Sequence, residues 1–189
     1  MLELLLLLGA ALLVNNFVLV QLLGLCPFIG VSHRLDTAVP MGIATIFVIS
    51  LSTLITNFIN AHLLEQFDLQ YLRIIVYITV IASVVQLTER YVRFASPLLH
   101  QLLGIYLPLI TSNCAILGVA LSVADYALPQ ALAVGIGAGG GFTLVIVLFA
   151  GLRSRLDEKS IPQPFRGAPI ALITVGIMAI AFYGFKGAL

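Results

Sequence analysis

Charge is what this sequence has least of. Only 9% of its 189 residues are charged, 61% are hydrophobic, and the mean hydropathy is +1.14. A soluble domain carries about 25% charged residues. This chain cannot solvate its own surface, which excludes a soluble globular protein. A net charge of +1 offers no recognition of nucleic acid. Two cysteines are too few for a disulfide framework. No basic residue precedes the first apolar run, so Met1-Leu2-Glu3 does not open a cleavable signal peptide, and that run is expected to remain as a membrane span. No Ser/His/Asp or paired-carboxylate arrangement points to hydrolysis. His33, His62 and His100 fall near span ends without a partner at metal-ligand spacing.

What is present is a series of runs near the length of about 20 apolar residues that a helix needs to cross a bilayer. Six are expected to span: Leu4–Val31, Ala38–Phe58, Tyr71–Thr88, Leu98–Val123, Gln130–Leu152 and Ala168–Ala188. The fold class is therefore an all-α integral membrane protein. The longest polar connection, Arg153–Arg166, is too short to fold alone, and Pro162 and Pro164 should keep it stiff and non-helical. Seven basic residues fall in the connections after spans one, three and five, against Arg73 and Lys186 on the other side. That bias is expected to put both termini on the outside of the membrane.

Six spans divide into two sets of three, and an odd number per half inverts the second. The expected organisation is a single membrane domain over residues 1–189, with repeat one at about 1–94 and repeat two at about 95–189. The two cysteines support the division. Cys26 and Cys114 stand 88 residues apart, and each opens a C-x-x-x-G-V pattern, ending at Val31 and at Val119. These patterns lie in the first and fourth spans, which correspond. Both spans also carry interruptions: Asn15-Asn16, Gly24 and Pro27 in one, and Gly104, Pro108 and Thr111-Ser112-Asn113 in the other. Interrupted segments at matching places in inverted halves point to helices broken near the midplane. The symmetry axis is expected to bring Cys26 and Cys114 together.

Three roles for the thiols stay open at this point. Free cysteine packs as a small hydrophobe, a disulfide is possible, and a metal site would explain the broken helices. An iron–sulfur cluster takes four thiolates, so this chain offers half a set. The run Gly135–Gly141 contains G-x-G-x-x-G, but it lies inside an apolar span, with no βαβ unit around it, so it does not bind a dinucleotide. Its small residues are expected to let helices approach closely, either within the chain or at a neighbouring protein. Asn15, Asn16, Asn57, Asn60 and Asn113 are expected to satisfy broken backbone or cross-helix hydrogen bonds. Asp36, Glu89 and Asp125 read as solvated or paired charges at span ends.

Longer stretches resemble a known family. Val14-Asn15-Asn16-Phe17-Val18-Leu19-Val20, Leu23-Gly24-Leu25-Cys26-Pro27-Phe28, Leu103–Ala115 and Pro164-Phe165-Arg166-Gly167 are similar to the A-type subunits of Rnf electron-transport complexes. Their relatives are the E-type subunits of sodium-translocating NADH:quinone reductase, an alternative assignment. Gln21 and His33-Arg34 depart from the family's usual basic residues. The resemblance implies six spans in inverted repeats and pairing with a homologous membrane subunit of opposite orientation, the E type of Rnf. It also implies a [2Fe–2S] cluster shared with that partner, with Cys26 and Cys114 as two of its four ligands. Flavins are expected only on other Rnf subunits. The whole complex moves electrons between ferredoxin and NAD, coupled to ion movement. Readings of another class are a non-redox inverted-repeat transporter and a structural scaffold.

Overall fold

A computed structural model describes residues 2–32, 35–65, 70–95, 109–110, 113–156 and 161–184. The chain is all-helical among these residues. The helices are α1 (Leu2–Gly9), α2 (Phe17–Val20), α3 (Leu25–Val31), α4 (Leu35–Ile59), α5 (Arg73–Ala95), α6 (Cys114–Ser122), α7 (Leu128–Ser154) and α8 (Ala168–Tyr183). Among the described residues, three continuous segments are long and apolar enough to cross a membrane: Leu35–Leu64, Gln70–Tyr91 and Leu128–Ser154. They match expected spans two, three and five. The first is longer than expected, because α4 continues through a π turn at Asn60–Leu64. The apolar helix α8 matches span six up to Tyr183. Half of span four, including Gly104, Pro108, Thr111 and Ser112, lies outside the described residues, as do His33, Arg34 and His100.

The first span is broken, as its asparagines suggested. α1 runs into a π turn at Ala10–Val14, which closes with the Asn15 N–H donating to Ala10 O at 2.7 Å. Asn16 then serves both sides of the break. Its Nδ2 donates to Leu12 O at 3.2 Å, and its Oδ1 accepts from the N–H groups of Val18 and Leu19. Backbone groups freed in an apolar medium cost several kcal/mol each if left alone. A buried asparagine is thus what makes this break tolerable. A second break follows at Gln21–Gly24, where Leu22 and Gly24 take left-handed φ values of 55° and 80°. α3 restarts at Leu25 and accepts Pro27 in its first turn, where no intrahelical donor is needed.

α7 is the axle. It buries 61% of its most apolar window, against 22% for the segment Gln70–Tyr91, which therefore lies at the edge. Its glycines make it a poor helix in water. In a bilayer the backbone must bond internally, and the missing side chains admit neighbours. Those neighbours are helices of the same chain. A Cβ on Gly137 would stand 2.6 Å from Leu8 O, one on Gly141 2.8 Å from Leu12 O, and one on Gly139 2.7 Å from Ile46 Cα. Across the α4/α7 contact, Gly42 meets Thr143, Ile46 meets Gly139, and Thr53 meets Gly135. The pairing order shows that these two helices run antiparallel. The connection Arg153–Arg166 departs from the expected non-helical form, with a 3₁₀ turn at Gln163–Phe165. Pro164 sits early in that turn, where its fixed φ is compatible.

Gly139→Ala and Gly137→Ala should each destabilise the chain by about 1–3 kcal/mol, because the atoms they meet are backbone. Gly151→Ala, with nothing within 4 Å of its Cβ, should be neutral or slightly stabilising. Thermal unfolding in nanodiscs distinguishes the two classes.

Candidate functional site

The two cysteines stand at the front ends of two short helices. Cys26 is the second residue of α3 and Cys114 the first of α6. Each helix begins where a longer apolar run is interrupted. For α6 the cause is Asn113, whose Oδ1 accepts from the Ala115 N–H at 3.0 Å. For α3 it is the left-handed Gly24.

The structure brings the two helix starts together. The Gly24 N–H donates to Cys114 Sγ at 3.0 Å, so one thiol rests on the turn that launches the helix of the other. Gly24 is required there for space as well as conformation. A Cβ would lie 2.8 Å from Asn113 Oδ1 and 3.1 Å from Ala115 Cβ. Both thiols are free and exposed on the isolated chain, so neither packs in its interior and they are not bonded to each other in this structure. Among the described residues, the Asn113 Nδ2, next to Cys114 in the chain, is buried without a hydrogen-bond partner.

Among the described residues, no group of three or more His, Cys, Asp or Glu side chains could hold a metal ion. Cys26 and Cys114 therefore have no third His, Cys, Asp or Glu grouped with them among the described residues. The other polar residues are accounted for elsewhere. Glu89 pairs with Arg93 at 3.3 Å, and Asp125 pairs with Arg73 at 3.5 Å. Asp36 is exposed. His62 stacks on Phe58 with ring centroids 4.3 Å apart. A cavity lined by Asn15, Gln21, Ser122 and Tyr126, among others, opens between the broken first span and the end of α6, and includes neither cysteine.

Residues 4–189 match the family described as Rnf-Nqr subunit, membrane protein. The chain belongs to the Rnf-Nqr family. It is a multi-pass membrane protein. It is 54% identical over 190 residues to the A-type subunit of the ion-translocating oxidoreductase complex of Pseudomonas aeruginosa, covering 99% of this chain and 98% of that one. Proteins of the same description from Pseudoalteromonas translucida and Alkalilimnicola ehrlichii are each 55% identical over 189 residues, with the same coverage. The resemblance read from the Asn15-Asn16 and Cys26 stretches is thereby borne out at the level of family.

In this Rnf-Nqr protein, sequence reasoning anticipated that the Cys26 and Cys114 segments meet and that Asn16 and Asn113 bond at the breaks. Asn57 and Asn60 bond across helices, from their Nδ2 atoms to Val123 O, Tyr126 O and Ala124 O. It missed Arg153, counted only as a topological charge. The Arg153 Nη1 reaches Ile29 O at 3.1 Å and Ser32 Oγ at 3.2 Å, at the far end of the Cys26 helix. No local pattern signals that contact.

Asn113→Ser keeps an oxygen at the front of α6, and Asn113→Ala does not. The alanine variant should be less stable than the serine variant by about 1 kcal/mol, the usual worth of such a cap. Thermal unfolding of the two variants in nanodiscs measures the difference.

Proposed function

We propose that this chain is the A-type subunit of an ion-translocating oxidoreductase complex in a bacterial inner membrane. In this reading Cys26 and Cys114 supply two of the four thiolates of a [2Fe–2S] cluster. The other two come from a homologous membrane subunit of opposite orientation, and flavins sit on other subunits. The similarity to relatives that belong to such a complex supports the assembly. The observation that carries the site is the meeting of the two C-x-x-x-G-V starts, with Gly24 donating to Cys114 Sγ and both thiols open to a neighbour.

The residues present suit the group. Two thiols sit at helix fronts, a backbone N–H already points at one sulfur, and the unpartnered Asn113 Nδ2 is a spare donor beside them. Hydrogen bonds to cluster sulfurs and ligands are what a protein uses to set potential. When bound, the cluster supplies one-electron transfer within the membrane. This chain's part is to hold two thiolates, direct N–H groups at them, and close one side against water.

The topology proposed with this function is six spans as two inverted three-helix repeats, within one membrane domain. The repeats cover about residues 1–94 and 95–189, and both termini are periplasmic. Near-reciprocal contacts at the α4/α7 crossing support it, since Gly42 meets Thr143 while Gly135 meets Thr53.

Two measurements test the reading. In the complex co-expressed with its partner and reduced anaerobically, Cys26→Ser and Cys114→Ser should each abolish the electron paramagnetic resonance of this cluster and lower iron by one cluster's worth. A wild-type complex that is assembled and active yet lacks that signal would favour a non-redox transporter or scaffold instead. Alkaline phosphatase fused after Leu189 should be active, and inactivity would invert the topology.

A further inference from the structure

Each cysteine helix is short, seven residues for α3 and nine for α6. The last carbonyls of a helix have no intrahelical partner, and lipid supplies none. The far ends of α3 and α6 must therefore be tied by other parts of the chain, and the ties cross between its halves. The end of α6 is held from α4 and its π extension, by Asn57 Nδ2 to Val123 O (3.1 Å) and Tyr126 O (3.0 Å) and by Asn60 Nδ2 to Ala124 O (3.0 Å). The end of α3 is held from α7 by Arg153 Nη1, to Ile29 O and Ser32 Oγ. Thr37 Oγ1, in the first turn of α4, also bonds Val31 O at 3.1 Å, a tie of shorter range.

The two arms are held unequally. α6 has a side-chain cap at its front and three neutral bonds from buried asparagines at its back. α3 has a glycine at its front with no side-chain cap, preceded by a left-handed leucine. Behind, its long-range tie is one guanidinium. Among the described residues no carboxylate pairs with Arg153, so its charge is left to the negative end of the α3 dipole. Between front and back, Phe28 stacks on Phe149 of α7, with centroids 4.6 Å apart and both rings buried. That stack holds the middle of α3 against α7, so a tilt of α3 that moves its Ile29–Ser32 end also moves Cys26.

We propose that Arg153 is a positioning residue for Cys26. By fastening the far end of α3 to α7, it sets where the Cys26 thiol stands relative to Cys114, whose own helix is held by Asn57, Asn60 and Asn113. The consequence for a shared cluster rests on the two-thiol reading above, but the geometry does not, and it can be tested without iron.

The two native cysteines are a ready label pair. The full-length, iron-free chain in nanodiscs would carry thiol-specific nitroxides on Cys26 and Cys114, and their separation would be read by dipolar spectroscopy. Singly labelled Cys26→Ser and Cys114→Ser chains would report mobility at each site. The wild type should give one narrow distance. Arg153→Gln should widen the distribution about twofold and mobilise the label on Cys26 alone, whereas Asn57→Ala should mobilise the label on Cys114. Arg153→Lys, a shorter cationic donor, should lie between wild type and Arg153→Gln. A folded, monodisperse Arg153→Gln chain with unchanged distance and mobility would overturn the proposal. If that variant does not fold, Arg153→Lys decides: widening supports the proposal and unchanged width overturns it. The iron content of the wild-type complex is measured separately, so failure of the cluster reading leaves the spin-label result standing.

Discussion

Breaking a helix inside a membrane is the act on which this structure depends. In water a freed N–H or C=O finds a solvent partner; in lipid it does not. Among the described residues, the first break, the start of α6 and the far ends of α3 and α6 are each met by a protein side chain. Asn16 serves both sides of the first break, Asn113 caps the start of α6, and Asn57, Asn60 and Arg153 take up carbonyls at the far ends. These polar side chains are scarce in an apolar chain, and they cluster where the backbone is irregular. The breaks allow α3 and α6 to begin at a shared place, which puts two thiols at helix fronts.

Close packing around α7 provides the frame. Gly137 and Gly141 receive the backbone of the first span, and Gly135 and Gly139 receive α4. The same run of glycines that formally spells a dinucleotide motif is used for helix contact, because it lies in the middle of a long apolar helix. With α4 and α7 locked antiparallel, the long helix of each half reaches the cysteine helix of the other. The site thus inherits its geometry from both halves at once, which is why neither half could build it alone.

The surface where the two cysteine helices begin is open on the isolated chain. Both thiols are exposed, the Asn113 Nδ2 lacks a partner, and no further ligating side chain stands near among the described residues. An exposed thiol pair with directed N–H groups is suited to completion by another protein. Membership of the Rnf-Nqr family agrees with that openness, since relatives of this length are described as subunits of larger complexes.

By itself the sequence determined the membrane class, the positions of the long helices, the asparagines at the breaks, and the two matched cysteines. Each of these is a local matter: hydropathy over about 20 residues, a capping side chain beside its own helix start, or a repeated short pattern. Only the tertiary structure decided what those groups meet. That the Gly24 N–H lies on Cys114 Sγ, 90 residues away, and that Arg153 holds Ile29 O, 124 residues away, follows from how α4 and α7 cross. Such contacts leave no periodicity or spacing in the chain. An arginine at the end of a helix reads as a topological charge until packing supplies the carbonyl it serves.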